Sequence, residues 1–385
     1  MKTLRYLVQT VLVASVCSVA SGAFAAEPAA KRPPRDPSGG IFFYAKGPDY
    51  DDTAAIKNPH VVGVWIQFYW SQIEREPGKY DWSVIDRRMK PWLEAGKKVG
   101  MRVYWVGSGY WGDPAAKTAT PAWVWKEGAS YVKHGPTGTE IPLCWDPIYQ
   151  KYSYRFMEEI ARKYESNPNI LFIDLTPGAE TNPYRYVAFN QLTPEFKNEY
   201  AATKSSDGKT YSDALWHETV EAHIDAADRI FQSLPIVITL NVATLNLDGQ
   251  RNDFAAEIGR HAMERGCYLG QNGLSGRSYT PARGADNPRQ RVFAETAARA
   301  GRIVFETLGD ANSQTQFGKV PLGTLKEIID AARRGSAGYL LPYPRDVLRG
   351  TKGQLNYDPE FEEALAYGAR VLAEPVVLEK EEAGE

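Results

Sequence analysis

Residues 170–183 read ILFIDLTPGAETNP. The mostly apolar run from Ile170 to Leu175 has the length and composition of a strand buried on both faces. It stops at Thr176-Pro177-Gly178, and two residues past that punctuation stands Glu180. A glutamate at such a place is either a solvated loop or helix-start carboxylate, or a side chain aimed at a partner. The scaffold built by the rest of the chain decides between the two.

Seven further runs of the same kind lie at 40–45, 61–70, 98–106, 235–243, 266–272, 301–308 and 337–343. Between them, segments such as PIYQKYSYRFMEEIARKYE and SDALWHETVEAHIDAADRIFQSL keep apolar residues three and four apart, the spacing of an amphipathic helix. Eight strands alternating with helices predict an α/β fold of the (β/α)8 TIM-barrel type. A doubly wound open sheet is the competing architecture, and it usually carries a Gly-rich phosphate turn after its first strand. The turn here is KGPDYDDT, which lacks that pattern.

The ends of the chain read differently. Lys2 and Arg5, an apolar stretch and Ala23-Phe24-Ala25 predict a signal peptide over 1–25, cut before Ala26. The expectation is a secreted or periplasmic protein with no membrane anchor after cleavage. Residues 26–38 are Pro-rich and polar, expected as a flexible arm. Residues 39–374 form one barrel domain, and 375–385 a charged tail. The net charge of −2 and the absence of a basic run give no electrostatic case for nucleic acid or an anionic membrane. Cys144 and Cys267 remain after processing; they could pair, but they do not make a disulfide framework or a CxxC site. The five histidines show no HExxH pattern, and no G-x-S-x-G occurs. No metal and no cofactor is expected.

Barrel active sites lie at the carboxyl ends of the strands. Glu180 stands just past strand four, and Glu306 interrupts the apolar strand seven, GRIVFETL. A glutamate inside a buried strand is costly unless it is paired or used. Strands four and seven end on opposite sides of an eight-stranded mouth, and two facing carboxyl groups are what glycoside hydrolysis requires: one general acid, and one nucleophile or base for water.

With those residues in place, the sequence resembles the clan of retaining glycoside hydrolases that use glutamates at barrel strands four and seven. The stretch WIQFYWSQIEREPGKYDWSVIDRRMKPWLEAGKKVGMRV (65–103) looks like the family 42 β-galactosidases and their relatives. The resemblance implies that Glu180 is the acid/base and Glu306 the nucleophile of a glycosidase acting on a β-linked oligo- or polysaccharide. The clan usually has Asn directly before the acid/base; here that residue is Ala179, with Asn182 two positions beyond Glu180. That departure keeps a non-catalytic glycan-binding barrel as the rival reading.

Aromatic rings stack on the apolar faces of sugars. Trp70 after strand two, Trp105 after strand three, and Trp111 and Trp145 in the following loop are therefore candidate sugar platforms. Asn182, Gln271, Asn272 and Tyr343 are candidate substrate-binding residues at the mouth. Arg102 on strand three is expected to point inward and pair with a carboxylate, Glu306 being one candidate, holding it ionised. Asp174 reads as an inward structural residue, and Glu74 and Glu76 as surface residues.

Overall fold

The computed structural model describes residues 32–36, 38–45, 52–106, 119–183, 193–241, 252–279, 287–299, 301–315 and 318–374. In chain order the strands are β1 (Gly40–Ala45), β2 (Val61–Tyr69), β3 (Lys98–Tyr104), β4 (Tyr131–His134) and β5 (Thr139–Pro142). They continue with β6 (Ile170–Asp174), β7 (Ile236–Thr239), β8 (Tyr268–Leu274), β9 (Ile303–Thr307) and β10 (Tyr339–Leu341). All but β4 and β5 close one barrel in the order β1-β10-β9-β8-β7-β6-β3-β2, with every described pairing in it parallel. The eight expected strands are the eight barrel strands, and β4–β5 is an antiparallel hairpin in the connection after β3.

Strand alternation sorts the core into two layers. Phe42, Tyr44, Trp65, Phe172, Val237, Tyr268, Val304, Tyr339 and Leu341 fill the barrel interior. Their neighbours in sequence, such as Phe43, Ile66, Ile173, Leu269 and Phe305, pack outward beneath the helices. The lower interior is aromatic: Phe172 lies 5.3 Å from Phe42, 5.4 Å from Trp65 and 4.9 Å from Tyr339 between ring centroids. Gly100 on β3 is what makes room, because a Cβ there would come within 2.3 Å of the Phe172 ring.

The helices start where their caps dictate. Asp146 accepts from the amides of Ile148 (2.9 Å) and Tyr149 (3.3 Å), and Pro147 opens the helix Pro147–Tyr164. Its apolar face, including Phe156, Met157 and Ile160, is buried against the barrel.

The segment that carries the family resemblance is architectural. Glu74, expected at the surface, is fully buried. It accepts from Trp70 Nε1 (2.8 Å) and the Gly78 amide (2.7 Å), and it pairs with Arg155. Glu76 is exposed as expected, paired with Lys79.

The 26–38 arm is not free along its described part. Arg32 is 1% exposed and donates to the carbonyls of Phe231 and Arg265, both at 2.8 Å, and to Asp228. Arg35 donates to the carbonyls of Asn167 (2.7 Å), Ile170 (2.9 Å) and Glu165. These acceptors lie at or just before the starts of β6, β7 and β8, so the arm staples the amino-terminal end of the barrel, opposite the mouth. The Pro-rich composition hid this, because the anchoring is done by two guanidinium groups on orphan helix-end carbonyls. Cys144 and Cys267 are both buried, and no disulfide joins them.

Candidate active site

The carboxyl end of β6 delivers Glu180 through a tight turn. The Ala179 amide donates to the Asn182 carbonyl (2.7 Å), and the Asn182 amide returns to Ala179 (3.1 Å). Between them Glu180 (φ 58°) and Thr181 (φ 62°) are both left-handed, a conformation that costs on the order of 1–3 kcal/mol at each non-glycine residue. Gly178 precedes them at φ 65°, where a Cβ would lie 2.5 Å from the Asn182 oxygen. Trp216 Nε1, from the helix Asp213–Ile230, donates to the Thr181 carbonyl at 3.1 Å and holds the turn from behind. Ala179 is 1% exposed and packs into the outer core, so the position where the clan has Asn does not face the mouth.

Glu306 needs no such turn. It sits in regular β9, in register between Asn272 on β8 and Leu341 on β10, and its parity with Val304 points it inward.

Arg102, inward on β3 as expected, joins the two. Its Nε donates to Asp174 (2.8 Å), its Nη1 lies 3.4 Å from Glu306, and its Nη2 donates to Thr239 Oγ1 (3.0 Å) and to Asn272 Oδ1 (3.4 Å). The stronger partner is Asp174, not Glu306. Asp174 also accepts from Thr239 Oγ1 (2.8 Å) and the Thr176 amide (2.9 Å), which satisfies a fully buried carboxylate. Asn272 turns its Nδ2 to Glu180, and Asn241 Nδ2 reaches the other Glu180 oxygen. Glu180, Asn272, Arg102 and Glu306 thus form one continuous polar path across the mouth, with Glu180 8% and Glu306 7% exposed.

Aromatic residues rim this path. Tyr104 stacks on Tyr69 at 5.4 Å and donates to Gln67 Oε1 (3.0 Å). Burial, with the nearby Glu306 and Glu180 charges, pushes its hydroxyl up to about 12 against the opposing pull of Arg102. Tyr343 lies near the mouth with its ring 6.0 Å from Tyr44, which is itself raised by burial and by Glu306.

Other expected residues lie elsewhere. Trp70 and Trp105 are fully buried on the outward face, packed on each other and on Phe156. Trp145 is 3% exposed, wedged against Tyr200 and Tyr211. As placed, none of the three offers a face to a sugar. Gln271 has the opposite parity to Asn272 and accepts from Tyr279, whose ring stacks on outward-facing Phe305. Asn182 is 3% exposed at the close of the acid-bearing turn. Trp111 lies outside the described residues. The sequence reading missed Asn241, Tyr44 and Gln67, and weighed Tyr104 only as one aromatic among several at the end of strand three. Counting by twos from inward Arg102 and from the strand-five Val237 would have found Tyr104 and Asn241. Among the described residues, no His, Cys, Asp or Glu group is arranged to hold a metal.

Residues 50–224 match the sequence model of the glycoside hydrolase family 42 described as Beta-galactosidase. The match takes in β2 through β6 and Glu180, and stops before Glu306. No curated protein matches the chain. Among solved structures, the catalytic domain of a β-amylase from Paenibacillus polymyxa aligns over 88% of this chain and 99% of that one, at 13% identity and a TM-score of 0.54. A catalytic mutant of a GH42 β-galactosidase from G. stearothermophilus aligns over 89% and 59%, at 10% identity and TM-score 0.52. The cold-adapted β-galactosidase from Rahnella sp. R3 aligns over 89% and 58%, at 11% identity and TM-score 0.50. The chain therefore spans somewhat over half the length of those β-galactosidases, and at these identities the structural likeness establishes the fold. Residues 50–224 thus resemble the family 42 β-galactosidases, and the chain shares the (β/α)8 barrel of the glycosidases it aligns with.

Proposed function

We propose that this chain is an exported, retaining glycoside hydrolase acting on a β-linked oligo- or polysaccharide. Glu306 attacks the anomeric carbon and forms a covalent glycosyl-enzyme, while Glu180 gives its proton to the departing oxygen. Glu180 then takes a proton from water, which attacks the same carbon and frees Glu306. The observation that carries this reading is the continuous path from Glu180 through Asn272 and Arg102 to Glu306, which puts both carboxyl groups in one site. Arg102 beside Glu306 favours the anion that a nucleophile must be.

An extended substrate is supported by the walls above strands three and four. His134 on β4 packs edge-on against Phe196 at 4.7 Å, and Tyr200 donates to the Pro142 carbonyl of β5 at 2.9 Å. The hairpin and the helix Pro194–Ala202 thereby brace each other on one side of the mouth. Relatives named β-galactosidase make a galactose-bearing glycan the first substrate to try.

The test is reducing-sugar release from a panel of plant, algal and bacterial polysaccharides by wild type and Glu306→Gln. Release that vanishes in the variant is expected. Equal release by both overturns the assigned pair, and binding of a glycan by both with no release from either selects the glycan-binding rival.

A further inference from the structure

Two asparagine amides meet the two oxygens of Glu180, and they are not equivalent. Asn272 is locked. Its Oδ1 accepts from Arg102 Nη2 at 3.4 Å, and a guanidinium has only donors, so turning the amide would set NH2 against NH2. Arg102 cannot yield, since it is held by Asp174 and Thr239. Asn272 can therefore only donate to Glu180.

Asn241 is held by its backbone instead. Its carbonyl accepts from Arg289 Nη1 at 2.9 Å, while its side chain, among the described residues, bonds to Glu180 alone. An amide χ2 is a broad, roughly two-fold torsion, so a half-turn exchanges donor for acceptor at little cost. Among the described residues, the charged and titratable groups around this corner are Arg102, Glu306 and Asp174 from β3, β9 and β6 and Arg289 from the helix Pro288–Ala298, with Tyr104 and Tyr44 kept neutral by burial.

We propose that Asn241 is a proton-following positioning residue for Glu180, whereas Asn272 is a fixed donor; this rests on the reading of Glu180 as acid/base. When Glu180 is a carboxylate, both amides donate to it. When Glu180 carries its proton, Asn241 presents Oδ1 and accepts the O–H, which fixes the acid's direction while it waits for the leaving oxygen. After the proton moves, Asn241 turns back. Asn272 favours the anion only; Asn241 serves both forms.

The test reads Glu180 directly, without substrate, by carbon-13 NMR titration of the resting enzyme with labelled glutamate carboxyls. The Glu180 signal is assigned by its loss in Glu180→Gln. Asn272→Ala removes a donor that only the anion uses, so the midpoint should rise by about one pH unit. Asn241→Ala should move it less than half as far, yet lower kcat on a glycoside with a poor leaving group by about tenfold or more. A midpoint in Asn241→Ala that rises as far as in Asn272→Ala makes both fixed donors and overturns the proposal, as does an unmoved midpoint in both. Circular dichroism confirms folding, and Asn241→Ser, too short to reach Glu180, replaces the alanine variant if that one fails to fold. Retained turnover of that poor-leaving-group glycoside by Glu180→Gln would instead sink the acid/base reading, a separate result that the titration does not depend on.

Discussion

The two glutamates at the mouth are presented in opposite ways. Glu306 projects from a regular strand beside a guanidinium, its place set by register with Asn272 and Leu341. Glu180 stands beyond its strand, on a turn with two consecutive left-handed non-glycine residues, met by neutral amides. A nucleophile has one task, to stay anionic and in line, and a rigid strand with a fixed cation suits it. An acid/base must bind and release a proton within one cycle, and one fixed donor beside one amide free to turn suits that. Of the two glutamates, only Glu180 itself sits in left-handed backbone.

The contrast can be broken at three levels. The largest effect falls on the rigid side: Glu306→Gln should lower kcat by about 10⁴-fold or more, since no neighbouring group can form the covalent intermediate. A loss below tenfold, measured on the substrate found above, would remove Glu306 from the reaction. Next comes the strained side. Gly178→Ala forces a Cβ to within 2.5 Å of the Asn182 oxygen at φ 65°, and should cost on the order of 1–3 kcal/mol in denaturant unfolding, with a fall in kcat. Unchanged kcat with lowered stability would mean that the turn does not set Glu180's aim.

The smallest effects come from the supports, which titrate in opposite senses. His223, hydrogen-bonded to the Leu175 carbonyl at 2.8 Å behind the acid turn, is lowered by burial from 6.5 to about 4. Its folded form resists protonation, so its contribution is full above about pH 6.5 and is lost as pH falls toward about 4. Asp346 accepts from the Ala311 amide (2.9 Å) in the loop after β9, and burial pushes it up from 3.8 to about 7. Here the folded form holds the proton, so the cost appears as pH rises from about 3.8 through about 7. Asp346→Asn keeps an acceptor for Ala311 and removes that ionisation. Its Tm advantage over wild type should therefore widen between about pH 4 and pH 8; a gap that is flat across this range contradicts the assignment.

The barrel was legible because each strand is a short, mainly apolar run between helical spacings, a local signal. Glu306 was legible as a charge inside such a run, and Arg102 as a cation in another. The tryptophans misled because ring count carries no direction: Trp105 follows inward Tyr104 by one residue and so faces the helices. Glu74 was misread as surface because its partners, Trp70 and Arg155, are brought to it only by folding. Asn241 could not stand out in sequence, since it matters only through a Glu180 that lies 61 residues away.

The division of roles is tested most directly by leaving-group dependence. Glu180→Gln and Glu306→Gln are assayed against a poor alkyl leaving group and an acidic aryl leaving group on the same sugar. An aryl oxygen that departs without a proton does not need Glu180, so that variant should lose far more on the alkyl than on the aryl glycoside, while Glu306→Gln stays inactive on both. If Glu306→Gln is the variant that recovers on the aryl glycoside, or if neither shows any difference between the two substrates, the assignment of acid and nucleophile to these strand ends is wrong.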